Sequence, residues 1–297
     1  MKQISKIVIL SMVLFLGSAC SALFGGGDEI VIGGKNFTEQ DIMVYLMEAV
    51  IEEHTELSVR TRTFLGGTDV VAQALDRGDL DMYPEYTGTA LVNILNMEAM
   101  TDPDETYQTV SEIYQDEKNI IWMEPLGFNN TYVLSMRESH AEELGIETVS
   151  DLAEFAPDLT LAATHEFLER PDGFEGVQEA YGLEFGDVRG LDPGLTYAAI
   201  RDGEGDVNDA FSTDGRILAF DLKPLKDDQN FFPPYYPTPI VRQETLEKHP
   251  ELEDALNRLG GVLDDTTMAE LNGRVDLEGE DARDVARDFL RQQGIIQ

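Results

Sequence analysis

The chain is poor in the side chains that most active-site chemistry uses. Its 297 residues include one cysteine, four histidines and one tryptophan. A single cysteine excludes an internal disulfide and any cysteine cluster for zinc. His165-Glu166 has no second histidine four residues on, so it does not form a zinc helix. Phosphate-binding loops, Gly-x-Ser-x-Gly elbows and EF-hand spacings are missing too. No catalytic set, metal site or cofactor is expected, and an enzyme has nothing specific behind it. Positive charge is also scarce: 21 Lys+Arg stand against 58 Asp+Glu, a formal net charge of -37. Nucleic acid is therefore not expected as a partner, because phosphate contacts need a basic face. The acids are spread along the whole chain. That suits a solvated surface in high salt, where screening weakens self-repulsion; a preference for cations or basic partners is the alternative.

Long apolar runs are missing as well. The exception, Ile7 to Leu16, is too short to span a bilayer and has the length of a signal h-region. Lys2 and Lys6 precede it, and Gly17-Ser18-Ala19-Cys20 comes next in the manner of a lipobox. The expectation is a lipoprotein signal over residues 1–19, cleaved before Cys20. Lipid on the Cys20 sulfur would anchor the chain to a membrane, outside the cytoplasm, through a tether at residues 20–28. The remaining length suffices for two modest domains.

From Glu29 onward the chain alternates between strand and helix patterns. Glu29 to Gly33 reads as a strand. Thr38 with Asp41 resembles a capping box, and Ile42, Leu46, Ala49 and Val50 recur at helical spacing. Ser58 to Phe64, Leu80 to Tyr83 and Ile120 to Trp122 read as strands, with helices from about Asp69, Gly88 and Pro103 between them. A second α/β segment opens with the strand Tyr132 to Met136. Strands near Leu159 to Ala163 and Asp206 to Ala210 come after it, with helices at Phe174 to Tyr181 and Tyr197 to Asp202. The run Phe231-Phe232-Pro233-Pro234-Tyr235-Tyr236-Pro237 reads as a rigid crossover, because its prolines lack the donor that a central strand needs. From Gln243 on, the pattern is helical. This order predicts an α/β protein in which one domain is interrupted by a second and then completed. Residues 29–128 and 230–297 would form lobe I and residues 129–229 lobe II, with a hinge and an interlobe cleft at the strands' carboxyl ends.

Aromatic residues gather at strand ends and on the crossover. They are Tyr83 and Tyr86 in Tyr83-Pro84-Glu85-Tyr86-Thr87-Gly88-Thr89, Tyr132 after Asn129-Asn130-Thr131, Phe211 before Ser212-Thr213-Asp214-Gly215, and Tyr235-Tyr236. One such ring is ordinarily core. Several facing one cleft would suit a quaternary ammonium, which has no N–H to donate and is held by ring faces.

These stretches, with Gly33-Gly34-Lys35-Asn36-Phe37-Thr38-Glu39-Gln40, Gly66-Gly67-Thr68, Thr164-His165-Glu166-Phe167 and Arg170-Pro171-Asp172-Gly173, resemble the glycine betaine/choline-binding subunits of osmoprotectant ABC transporters. The resemblance runs from about Glu29 to Ile295. It implies a two-lobed type II periplasmic-binding-protein fold that closes by a hinge around a small quaternary-ammonium ligand and delivers it to an ABC permease. It implies a cage of Tyr86, Tyr132, Phe211 and Tyr235, with Asn130 contributing a backbone contact. The family usually has tyrosine where Phe211 stands and often aspartate where Asn130 stands. The ligand's carboxylate would fall to Lys35, Thr89 and Arg170. Glycine betaine leads the candidates, with choline, carnitine or an amino acid on the same fold as alternatives, and the receptor is expected to act as a monomer.

Overall fold

The computed structural model describes residues 29–297. The expected signal segment, Cys20 and the tether lie outside the described residues.

Ten strands run in chain order: β1 (Glu29–Gly33), β2 (Ser58–Arg62), β3 (Met82–Tyr86), β4 (Ile120–Trp122), β5 (Tyr132–Arg137), β6 (Thr160–Thr164), β7 (Asp187–Leu191), β8 (Val207–Phe211), β9 (Leu222–Pro224) and β10 (Pro237–Arg242). They form two five-stranded sheets of the same plan, ordered β2-β1-β3-β10-β4 and β7-β6-β8-β5-β9. In the first sheet β1 is parallel to β2 and β3, while β10 is antiparallel to β3 and β4. In the second, β6 is parallel to β7 and β8, while β5 is antiparallel to β8 and β9. The fold is thus the expected two-lobed α/β arrangement. The chain passes between sheets after β4 and again after β9. The two crossovers are bonded to each other: the Asn130 N–H donates to the Tyr235 carbonyl at 3.1 Å, and the Tyr235 N–H to Asn129 Oδ1 at 2.7 Å.

Five helices matter for the cleft: α1 (Thr38–His54), α2 (Thr68–Asp76), α3 (His165–Glu169), α4 (Asp265–Asp276) and α5 (Ala282–Gln292). The periodic residues Ile42, Leu46, Ala49 and Val50 of α1 are buried, and so are Met43, Val44, Met47 and Ile51. This helix is covered on almost every side, because it packs against its own sheet and also against α4 and α5. The expected Thr38/Asp41 capping box does not form. Phe37 occupies the cap position without a side-chain bond, and Thr38, already inside the first turn, donates to Asp276 Oδ1 at 2.5 Å.

Two other expectations change. The proline-rich run is a crossover only as far as Tyr236; Pro237 opens β10, which lies inside the first sheet. This is possible because Pro239 faces Pro84 of β3 and the pair exchanges no ladder bond. The Pro84 carbonyl instead accepts from Gln40 Nε2 and the Pro239 carbonyl from the Met123 N–H, both at 3.0 Å. β7 and β9 carried no strand signal. They are edge strands, and β7 buries little, so an alternating apolar pattern is absent.

Candidate functional site

A cavity of about 350 Å³ lies between the lobes, and all eight residues that the resemblance assigns to the ligand line it, while Tyr83 and Tyr236 do not. Topology explains the convergence. Lys35 sits in the loop after β1, Tyr86 ends β3 and Thr89 opens the helical turn beyond it. Arg170 comes directly after α3, which itself succeeds β6, and Phe211 ends β8. All these positions are at the carboxyl ends of parallel strands. Asn130 arrives on the first crossover, Tyr132 opens β5 directly after it, and Tyr235 arrives on the second crossover.

The rings form a connected wall. Tyr132 lies 5.1 Å from Phe211 and 5.8 Å from Tyr235, centroid to centroid. Phe37, which sequence reasoning did not assign, stacks on Phe211 at 5.4 Å and on Tyr86 at 6.4 Å, so it joins rings from the two lobes. Both tyrosine hydroxyls with a carboxylate partner point away from the ring faces. Tyr86 donates to Glu39 Oε1 at 2.7 Å and Tyr235 to Asp172 Oδ2 at 2.6 Å. Burial, then these carboxylates, push both phenols well above their ordinary value.

The cations of the cavity are already matched by acids of the chain. Lys35 Nζ donates to Glu85 Oε1 at 2.6 Å and to Thr68 Oγ1 at 2.9 Å. Arg170 grips Asp172 with Nε at 2.8 Å and Nη2 at 2.6 Å. Its Nη1 reaches Glu166 Oε1 and Thr89 Oγ1, both at 3.2 Å. The sequence pointed to Lys35 and Arg170 as donors for a ligand carboxylate but not to these partners. Thr89 accepts from Arg170, so its O–H is still available as a donor.

Glu166 ties the lobes together. It accepts the Thr68 hydroxyl at 2.6 Å as well as the Arg170 contact. Burial raises its carboxyl, but Lys35, Arg170 and Thr68 outweigh burial and hold it below the ordinary value. Beneath the second lobe's wall, Asp209 accepts from the Thr164 N–H at 2.8 Å and the Thr164 hydroxyl at 2.6 Å, and burial pushes it up to about 7. Asp69, Glu169 and Asp192 complete an acidic lining. Among the described residues there is no group of His, Cys, Asp and Glu that could hold a metal ion.

Comparison with known proteins identifies the arrangement. The profile of the OpuAC family, the substrate binding domain of the ABC-type glycine betaine transport system, matches residues 28–292. A glycine-betaine-binding protein of Pseudomonas aeruginosa is 37% identical over 293 residues, covering 94% of this chain and 93% of that protein. The carnitine transport binding protein OpuCC of Listeria monocytogenes is 35% identical, covering 98% of this chain and 96% of that protein. A crystal structure described as a glycine betaine/carnitine/choline ABC transporter superposes with a TM-score of 0.74 at 33% identity, over 90% of this chain and 100% of the other. The chain therefore belongs to the family of substrate-binding domains of ABC-type glycine betaine transport systems, which are transport receptors and not enzymes.

Proposed function

We propose that this receptor captures a quaternary-ammonium solute in the interlobe cavity, glycine betaine foremost, and closes on it by a hinge at the two crossovers. The observation that carries the reading is the ring wall of Tyr86, Phe37, Phe211, Tyr132 and Tyr235 around one cavity. Each ring face in contact with the trimethylammonium group contributes about 0.5–2 kcal/mol. The ligand's carboxylate meets the remaining Lys35 N–H and the Thr89 O–H, while Arg170 orients Thr89 and lends its charge. Asn130 contributes from the crossover. In this reading residues 29–128 and 230–297 move as one lobe against residues 129–229. The receptor is a monomer, held at the outer face of a membrane by lipid on Cys20, and hands its cargo to the permease.

One observation favours choline as a second reading. Asp69, Glu166, Glu169 and Asp192 outnumber Lys35 and Arg170 in the lining, which suits a ligand with net positive charge. Calorimetric titration with glycine betaine, choline, carnitine and a panel of amino acids tests both. Tightest binding of glycine betaine supports the first reading, and tightest binding of choline supports the second. Heat only with amino acids, or none at all, overturns the quaternary-ammonium site. Replacing Cys20 with alanine should release the protein from the membrane fraction; unchanged partitioning removes the anchor.

A further inference from the structure

Glu39 stands in the first turn of α1, 3% exposed, and is not part of the cavity lining. Four donors from four separate segments converge on it. Tyr86 Oη and Asn130 Nδ2 each lie 2.7 Å from Oε1. Thr213 Oγ1 and Asn272 Nδ2 lie 2.5 and 3.1 Å from Oε2. Four donors match the four acceptor directions of an ionised carboxylate, and none of the four is a cation. Glu85 is instead paired with Lys35, and Asp172 and Glu166 with Arg170, while Asp209 resembles Glu39 in being held by neutral donors, both from Thr164. Burial holds the Glu39 carboxyl above its ordinary value, with the four donors offsetting part of the rise.

One consequence reaches the cavity wall. The Tyr86 hydroxyl is turned toward an anion, so its ring carries more electron density on the face lining the cavity. The Asn130 amide is held by its nitrogen, and Asn130 Oδ1 is left buried without a hydrogen-bond partner in the protein. Asn130 lines the cavity.

We propose that Glu39 is a positioning residue that makes this wall selective for positive charge, by polarising the Tyr86 ring through the hydrogen bond from its hydroxyl. The proposal rests on the cavity being a cation site. It adds that selection for charge, beyond shape, originates in a carboxylate the ligand never touches.

The test compares glycine betaine with 3,3-dimethylbutanoate, which has the same shape with carbon in place of the charged nitrogen. Affinities for both are measured calorimetrically, directly and by competition, on the full chain and its Glu39→Gln variant. The wild type is expected to prefer glycine betaine, and E39Q to shrink that preference by about tenfold while 3,3-dimethylbutanoate affinity changes far less. A preference left intact, with both affinities unchanged or both reduced by one factor, overturns the proposal and leaves Glu39 a structural residue. Should E39Q not fold, Tyr86→Phe keeps the ring and removes only its bond to Glu39. It is expected to shrink the preference by a few-fold, and no change overturns the proposal equally. A wild type that binds neither compound sinks the cation-site reading itself, a result distinct from an intact preference.

Discussion

Glu166 of the second lobe serves as the cap of a helix in the first. It accepts the Thr68 hydroxyl at 2.6 Å and the Thr68 N–H at 3.3 Å, at the start of α2. The cap position of α2 is Gly67, which has no side chain to do this itself. A carboxylate there also meets the positive end of the helix dipole. The bond joins the two lobes, so on the proposed hinge closure it stabilises the closed state. Gly67 lets Glu166 approach: a Cβ on it would stand 2.7 Å from Glu166 Oε2. Gly67→Ala is therefore expected to push Glu166 off the helix end. A cap is worth about 1 kcal/mol, so ligand affinity should fall about fivefold. The loss should appear as faster dissociation in stopped-flow traces, with the melting temperature nearly unchanged. An unaltered dissociation rate would show that the cap does not hold the lobes.

Arg170 and Asp172 are both 3% exposed and joined by two hydrogen bonds, with the Tyr235 hydroxyl on the same carboxylate. Removing one partner of such a pair strands the other. Arg170→Met is expected to cost about 3–5 kcal/mol of stability in urea unfolding. Asp172→Asn in the same chain should recover much of it, since the stranded charge is then gone. Equal stability of the single and double variants would contradict the pairing.

The strands and helices that carry the cleft were legible because their apolar residues repeat at periods that only one element type satisfies, as Ile42, Leu46, Ala49 and Val50 do on α1. β10 was hidden by Pro237 and Pro239, whose missing donors are harmless only because Pro239 happens to face Pro84. The ring wall was legible because aromatic residues beside Gly, Pro and Asn mark strand ends. Phe37 was passed over, since nothing local distinguishes a loop ring that packs under the chain from one that bridges two lobes. The acids Glu39, Glu85, Glu166 and Asp172 stand in the motifs that carry the resemblance, but nothing local assigns them a partner. Glu39 meets Asn130, Thr213 and Asn272 across 91, 174 and 233 positions of chain, pairings that only the folded state creates.

Phe37 gives the site a further test. It stacks on Tyr86 from its own lobe and on Phe211 from the other, so on the proposed reading it is a further ring of the cage, completed by both lobes. Phe37→Ala should weaken glycine betaine binding by about 0.5–2 kcal/mol, roughly two- to thirtyfold. Phe211→Tyr, which keeps the ring and adds a hydroxyl, should retain affinity within a few-fold. Calorimetry on the two variants decides. Full affinity in the Phe37 variant would remove that ring from the cage.

Asp209 makes stability depend on pH in a direction opposite to a salt-bridged carboxylate. Burial pushes it up to about 7 in the folded protein, against 3.8 as the ordinary value. Between those values the folded state holds the proton more tightly than the unfolded state. Stability from this group is therefore greatest below pH 4 and is lost as pH rises toward 7. Asp41, also pushed up to about 7 by burial, contributes in the same sense, so the wild-type curve alone cannot isolate either group. Asp209→Asn keeps an acceptor for the Thr164 N–H and removes the titration. The wild type should therefore lose melting temperature relative to the variant between pH 5 and pH 8, and the comparison cancels both Asp41 and the general repulsion of the acidic surface. A wild-type-minus-variant difference that is flat across that interval would mean that Asp209 stays ionised throughout, with Thr164 supplying enough hydrogen bonding to offset its burial.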